Sequence, residues 1–181
     1  MKEQVTFLVW TENSPGVLLR LTTLFTRRKI NVESLTVSVT EVQGLSRFTI
    51  AINGDPVTAA TIGRQIERMV DVRRVFVFGE DDIVHREVVL LRARISQEVR
   101  SAMQRSFPLL QEIERRGDSA LLQFTGAEDE IEKLLQYLEP YGLIEFVRSG
   151  RIAVSRTGDY ESDLSRSLHE LRPDASVGPD M

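Results

Sequence analysis

The spacing of hydrophobic residues changes repeatedly along the first half of the chain, and each change predicts a new element. Val5, Phe7 and Val9, with Leu8 and Trp10 between them, read as an apolar strand. Val17, Leu18, Leu21, Leu24 and Phe25 fall at helical spacing and predict an amphipathic helix with one apolar stripe. Leu35, Val37 and Val39 alternate with Thr36, Ser38 and Thr40, a strand signature. Gln43-Gly44 marks a turn, and Phe48, Ile50 and Ile52 alternate on the returning strand. Asn53-Gly54-Asp55-Pro56 breaks the chain and starts a second helix, with Ile62, Ile66, Met69 and Val70 on one face. Val72, Val75 and Val77, with Phe76 and Phe78, predict a fourth strand ending at Gly79. Strand, helix, strand, strand, helix, strand is the order of a split βαβ sandwich, with both helices on one face of an antiparallel sheet. The other face of so small a sheet is expected to stay bare unless a partner covers it, and its edge strands invite pairing with a second copy.

Glu80-Asp81-Asp82 reads as a solvated linker, without the glycine and distal glutamate of a calcium loop. The pattern then begins again. Val84 to Ile95 predicts a strand, Gln97 to Ser106 a helix and Leu109 to Arg116 a strand. A Gly117-Asp118 turn leads to a strand over Ala120–Thr125, and a helix carries Ile131, Leu134, Leu135 and Leu138 as far as Pro140-Tyr141-Gly142. Leu143–Arg148, a Ser149-Gly150 turn and Ile152–Val154 close this half. The expected fold is therefore α+β: two ferredoxin-like βαββαβ domains over 1–79 and 80–156, followed by a mobile tail over 157–181. Within the tail, Tyr160, Leu164, Leu168 and Leu171 recur at helical spacing, as in a frayed helix or a docking segment.

Composition narrows the function classes. An apolar content of 41% suffices for a core, the net charge is −4 and the sequence pI is near 5.3. Arg27-Arg28-Lys29 and Arg73-Arg74 are short basic clusters on an acidic chain, so nucleic acid is not the expected partner. With no cysteine there is no disulfide, thiolate nucleophile or thiolate-bound metal. Met1-Lys2-Glu3-Gln4 lacks the apolar core of a signal peptide, and no window is apolar for the ~20 residues of a membrane span. A cytoplasmic protein without membrane contact is expected.

The most informative segment is Glu12-Asn13-Ser14-Pro15-Gly16-Val17-Leu18, where the first strand passes into the first helix. Ser14 or Asn13 can cap that helix and Pro15 suits its first turn, so plain capping accounts for part of the pattern. The free amides and the positive end of the helix dipole also suit a small carboxylate. Asn31, at the start of the next strand, is a second polar anchor, and the combination points to an amino-acid sensor. Catalytic signatures are missing. There is no phosphate-binding glycine loop and no Gly-x-Ser-x-Gly elbow, and His85 and His169 stand far from metal-ligand spacing. His85 is expected to be a structural or interface residue.

Ordered motifs over Val5–Arg156 give a resemblance. They are Glu12-Asn13-x-x-Gly16-x-Leu18, Leu24-Phe25-x-Arg27-Arg28, Asn31-x-Glu33-Ser34-Leu35-Thr36-Val37 and Ser46-Arg47-Phe48-Thr49-Ile50. Further on stand Gln65-Ile66-Glu67-x-x-Val70-Asp71-Val72, Arg86-Glu87, Pro140-Tyr141-Gly142-Leu143-Ile144-Glu145 and Val147-Arg148-Ser149-Gly150-Arg151-Ile152-Ala153. The chain resembles the small regulatory subunits of acetohydroxyacid synthase (acetolactate synthase). That resemblance implies an N-terminal ACT domain, an ACT-like C-terminal domain and a homodimer formed through the ACT domains. It also implies that valine, or a related branched-chain amino acid, sits between protomers, held by Asn13, Gly16, Val17 and Leu18 of one chain and Asn31 and Val32 of the other. A non-catalytic role follows. Such a subunit binds and activates a separate catalytic large subunit, in which thiamine diphosphate, magnesium and FAD act, and it confers feedback inhibition by valine. The alternative is a free-standing ACT-domain sensor acting on another partner.

Two departures from the family pattern stand out. Lys29-Ile30 occupies positions where a glycine and an aromatic residue are usual, so a positive φ there would strain Lys29. Ser101–Ile113 keeps little of the family pattern, which leaves ligand selectivity in the C-terminal half open.

Overall fold

The computed structural model describes residues 3–158. By its internal contacts the chain divides into two units, Met1–Val84 with the segment from Ala153 onward, and His85–Ile152. The tail beyond Gly158, with its helical recurrence of Tyr160, Leu164, Leu168 and Leu171, lies outside the described residues.

In the first unit β1 (Glu3–Glu12), α1 (Val17–Arg27), β2 (Val32–Val39), β3 (Leu45–Gly54), α2 (Pro56–Glu67) and β4 (Val72–Gly79) follow in sequence. The sheet order is β2-β3-β1-β4, with β1 antiparallel to both β3 and β4. β1 and β2 therefore form a split pair with β3 between them. Val5, Phe7 and Val9 share one sheet face with Phe48, Ile50 and Ile52, and both helices bury their stripes there through Val17, Leu21, Phe25, Ile62 and Ile66. Phe7 and Phe25 meet edge to face at 5.5 Å. Full burial of a side chain the size of Phe25 contributes about 1.5–3 kcal/mol, so the pairing of helix and sheet rests on a few such residues. Gly63 lets α2 settle onto β4, since a Cβ there would lie 2.7 Å from Val77 Cγ2.

Two expectations need correction. Val70 does not extend the apolar face of the second helix: α2 ends at Glu67, with Arg68 as C-cap, and Val70 is 92% exposed. The rear face of the sheet is not left bare either. Leu8 and Trp10 are buried there against Ile83 and Ala153, with Phe76 and Phe78 beside them. Arg47 stacks over the Trp10 ring at 4.7 Å and donates to the Ala153 carbonyl, which ties the returning segment to the sheet.

β5 (Ile83–Arg94), α3 (Gln97–Ser106), β6 (Gln111–Arg116), β7 (Ser119–Gly126), α4 (Glu128–Leu138) and β8 (Leu143–Arg148) repeat the topology, with sheet order β6-β7-β5-β8. A last strand, β9 (Ile152–Ser155), pairs with β5. Val89, Leu91, Leu122 and Phe124 face Met103, Ile131, Leu134 and Leu138 across the sheet–helix interface. The fold is α+β, built from two ferredoxin-like units with antiparallel sheets.

The second unit also buries charge. Arg151, 1% exposed, donates to Glu128 Oε2 at 3.0 Å, and its Nε lies 3.7 Å from Glu87 Oε1. Arg148 pairs with the same Glu87, and this contact raises the arginine above its ordinary pKa. Two motif segments distant in sequence, Arg86-Glu87 and Arg148–Arg151, thus converge on one ion network. Among the described residues, no helix is long and apolar enough to cross a membrane.

Candidate functional site: the N-terminal end of the first helix

The loop after β1 is pinned at its base by backbone hydrogen bonds. The Glu12 N–H donates to the Asp71 carbonyl at 2.8 Å, and the Asn13 N–H donates to the Gly44 carbonyl at 2.7 Å. Beyond this base the chain differs from the capping pattern expected of Asn13-Ser14-Pro15. The N-cap of α1 is Gly16, at φ 86°, and no side chain caps the helix. Pro15 stands outside the helix, in the preceding turn. A left-handed glycine N-cap sets no side chain of its own before the helix end. The first intrahelical bond runs from the Arg20 N–H to the Gly16 carbonyl at 3.1 Å. The amides of Val17, Leu18 and Leu19 precede it and have no intrahelical acceptor.

Open amides here are specific to α1. α2 starts at Asp55, whose carboxylate accepts from the Thr58 N–H at 2.8 Å; this bond lowers its pKa. Ser96 caps α3 by accepting from Val99. At α4, Glu130 Oε2 reaches back to the Ala127 N–H at 2.7 Å. Of the four α-helices among the described residues, α1 alone has neither a capping side chain nor a carboxylate at its start.

The expected site residues behave differently from one another. Asn13 and Gly16 are exposed, and Leu18 is 44% exposed although the stripe reading placed it inward. The Val17 side chain is buried in the core, so only its backbone can face the loop. Asn31 is exposed, with its Nδ2 donating to Glu33 Oε1 at 3.0 Å, and Val32 is half-buried. Asn13–Leu18 and Asn31–Val32 flank opposite ends of α1, an 11-residue helix about 16 Å long. Within one chain the two sets therefore do not meet around a ligand the size of an amino acid.

Arg20 belongs to the site by geometry. Its Nη1 would lie 3.1 Å from a Cβ on Gly16, and its Nη2 pairs with Asp71 Oδ2 at 2.6 Å. In the sequence it is one arginine on the polar face of a helix. It stands one helical turn after Gly16, which places its guanidinium beside the loop. The guanidinium stands next to the open amides, and Asp71 both offsets its charge and limits its swing.

Lys29 is the only described non-glycine residue with positive φ, at 56°. It occupies the C′ position of a Schellman motif: the Lys29 N–H donates to the Thr26 carbonyl at 2.9 Å and the Ile30 N–H to the Phe25 carbonyl at 3.1 Å. Ile30 packs on the core cluster that contains Phe25. The departure noted in the sequence therefore falls where the backbone calls for glycine, immediately before Ile30 and Asn31.

Comparison with known proteins agrees with this architecture. The family model for the AHAS small subunit-like ACT domain matches residues 7–74, and that for the small subunit of acetolactate synthase matches 86–157. The acetolactate synthase small subunit of Mycolicibacterium smegmatis is 33% identical over 153 residues, covering 83% of this chain and 90% of that protein. Its counterpart in Haemophilus influenzae is 36% identical over 151 residues, covering 82% and 93%. The crystal structure of the Thermotoga maritima acetolactate synthase small subunit aligns with a TM-score of 0.73 at 29% identity, over 84% of this chain and 97% of that one. With both halves matched in order and a solved relative of the same fold, this chain belongs to the acetolactate synthase small subunit family.

Proposed function

We infer that this chain is the non-catalytic regulatory partner of an acetolactate synthase catalytic subunit, and that a branched-chain amino acid, valine in the first place, acts on it at the start of α1. The observation that carries the reading is the uncapped helix end behind Gly16. Open first-turn amides, a positive dipole end and the nearby Arg20 suit the ligand's carboxylate. Leu18 offers apolar surface to an isopropyl group, and the side chain of Asn13 a polar contact.

The site is completed by a second copy. β2 is an edge strand of its sheet, with Val37 and Val39 exposed along it. Antiparallel pairing of two such edges brings the Asn31 end of one chain toward the Gly16 end of the other, which no single chain achieves. Asn31 Oδ1, with Nδ2 engaged by Glu33, is then an acceptor for the ligand's ammonium, and Val32 adds apolar contact. A ligand bound across this seam stabilises one arrangement of the dimer over others, which is how its occupancy reaches a catalytic partner. Thiamine diphosphate, magnesium and FAD belong to that partner, where they supply the condensation of 2-oxo acids; this chain supplies none of those groups.

The test is acetolactate formation by the cognate catalytic subunit, with and without this protein, across a valine titration. Activation suppressed by valine is expected. Gly16→Asp abolishes the valine response, because its carboxylate occupies and repels the ligand's own. Gly16→Asn, which tolerates a left-handed φ without adding charge, separates repulsion from backbone strain. Calorimetry showing unchanged valine affinity in Gly16→Asp would overturn the site.

A further inference from the structure

In the first unit, α1 and the residues around the end of α2 border an open groove of about 600 Å3. Its apolar surface is accessible: Leu19 is 71% exposed, and Leu24 and Met69 are half-buried. Arg20, Arg27 and Arg28 also line it, and no acidic side chain does. Arg20 is balanced by Asp71, whereas Arg27 and Arg28 make no ion pair among the described residues. An exposed apolar strip beside two unbalanced positive charges suits an amphipathic segment that carries acidic residues next to its apolar ones.

The sequence of residues 159–181, which lie outside the described residues, contains such a segment. It holds six acidic residues against two arginines, a net charge of −4. That equals the net charge of the whole chain, so the acidity of the protein is concentrated there. Asp159, Glu161 and Asp163 lead into Leu164, Leu168 and Leu171, whose spacing is that of one helical face. The point of departure also fits the groove. Val32, Ile52, Val5 and Gly79 form one row across the sheet, so the Arg27–Arg28 end of α1 and the last residue of β4 share one end of the unit. Three residues beyond Gly79, the Asp82 carbonyl accepts from the Arg156 N–H at 2.8 Å, which fixes where the tail leaves. From Arg156 to Leu164 an extended chain spans up to about 26–29 Å. A four-stranded sheet is only about 14 Å wide, so the leucines can reach the helix layer from that end.

We propose that segment 159–171 docks in this groove on its own chain as an amphipathic helix. Leu164, Leu168 and Leu171 lie against Leu19, Leu24 and Met69, while the acidic residues ahead of them meet Arg27 and Arg28. The segment enters at the arginine end and runs along α1 toward its start. Docking uses none of Asn13, Gly16, Asn31 or Val32, so it stands or falls separately from the amino-acid site.

The chain has no cysteine, so a single label can be placed in the tail without further changes. The test is amide NMR of the full chain carrying Ser165→Cys with a nitroxide attached. Broadening of the Leu19, Thr23 and Gln65 amides is expected. Leu168→Asp in the tail should remove it, and so should Arg27→Glu with Arg28→Glu in the groove. Adding Asp159→Arg, Glu161→Arg and Asp163→Arg to the reversed arginines should restore it. A well-dispersed amide spectrum in each variant shows that the fold is intact. No broadening in the groove, or broadening that survives both Leu168→Asp and the reversed arginines, would overturn the proposal and leave the groove to another protein. Broadening when the label sits only on a second, isotopically unenriched copy would also overturn it, because the tail in the groove would then be another chain's.

Discussion

Lys29→Gly should stabilise the N-terminal unit, and the size of the effect follows from the backbone. Lys29 sits at φ 56° because the Schellman bonds from its own N–H and that of Ile30 require the turn. A left-handed conformation costs an L-residue with a Cβ about 1–2 kcal/mol. Glycine removes that cost but gives back about 0.5–1 kcal/mol through its freer unfolded chain. The expected net gain is about 0.5–1 kcal/mol. Trp10 provides the assay, as the sole tryptophan of the sequence and one buried in this unit. With a urea m-value of about 1–3 kcal/mol/M, the fluorescence midpoint should rise by roughly 0.2–1 M with m unchanged. Lys29→Ala is the control. It removes an exposed side chain that makes no ion pair among the described residues but keeps the Cβ, so it should stay within ~0.5 kcal/mol of the parent. If the glycine variant is no more stable than the alanine variant, the reasoning from backbone strain is wrong.

Two further outcomes concern the C-terminal unit. Glu87→Gln leaves Arg151 and Arg148 without their shared buried carboxylate and should cost about 3–5 kcal/mol, seen as an earlier circular-dichroism transition that the Trp10 signal does not share. A loss below ~1 kcal/mol would mean that the network relaxes onto Glu128 and Glu132. Glu112 is held below its ordinary value of 4.5 by the hydrogen bond from Arg115. Its contribution is therefore present above that pH and lost as pH falls through the lower folded value. The stability difference between the parent and Glu112→Gln, followed by urea titration, should shrink as pH falls below about 4.5; a difference that stays constant to lower pH would refute the assignment.

Much of the fold is legible in the sequence because its signals are local. The alternation of Phe48, Ile50 and Ile52, the breaker at Asn53–Pro56 and the start of α3 after Ser96 each declare an element within a few residues. Less legible were features set by distant or conformational causes. Leu8 and Trp10 looked like neighbours in an apolar strand, but what covers them is Ile83 and Ala153, brought back from far along the chain. Val70 continued a helical spacing that had already ended, because Arg68 closes α2 with neither glycine nor proline to mark the stop. At the candidate site, residue preferences favoured Ser14 or Asn13 as the cap, and the backbone chose Gly16. Lys29 was legible only as a departure, since one lysine says nothing of φ until a glycine is expected in its place.

The two units show how one topology can present different chemistry. In each unit the first strand passes into a helix that packs on that unit's own sheet, so both create a helix start at an equivalent place in the topology. In the first unit that start is capped by a left-handed glycine with no side chain, which leaves donors free for an anion. In the second, Ser96 occupies the Val99 N–H and closes that option. Arg100, one turn into α3, pairs with Glu112 at 3.1 Å. Carboxylate recognition by helix amides depends on backbone conformation and is disturbed by any Cβ at Gly16.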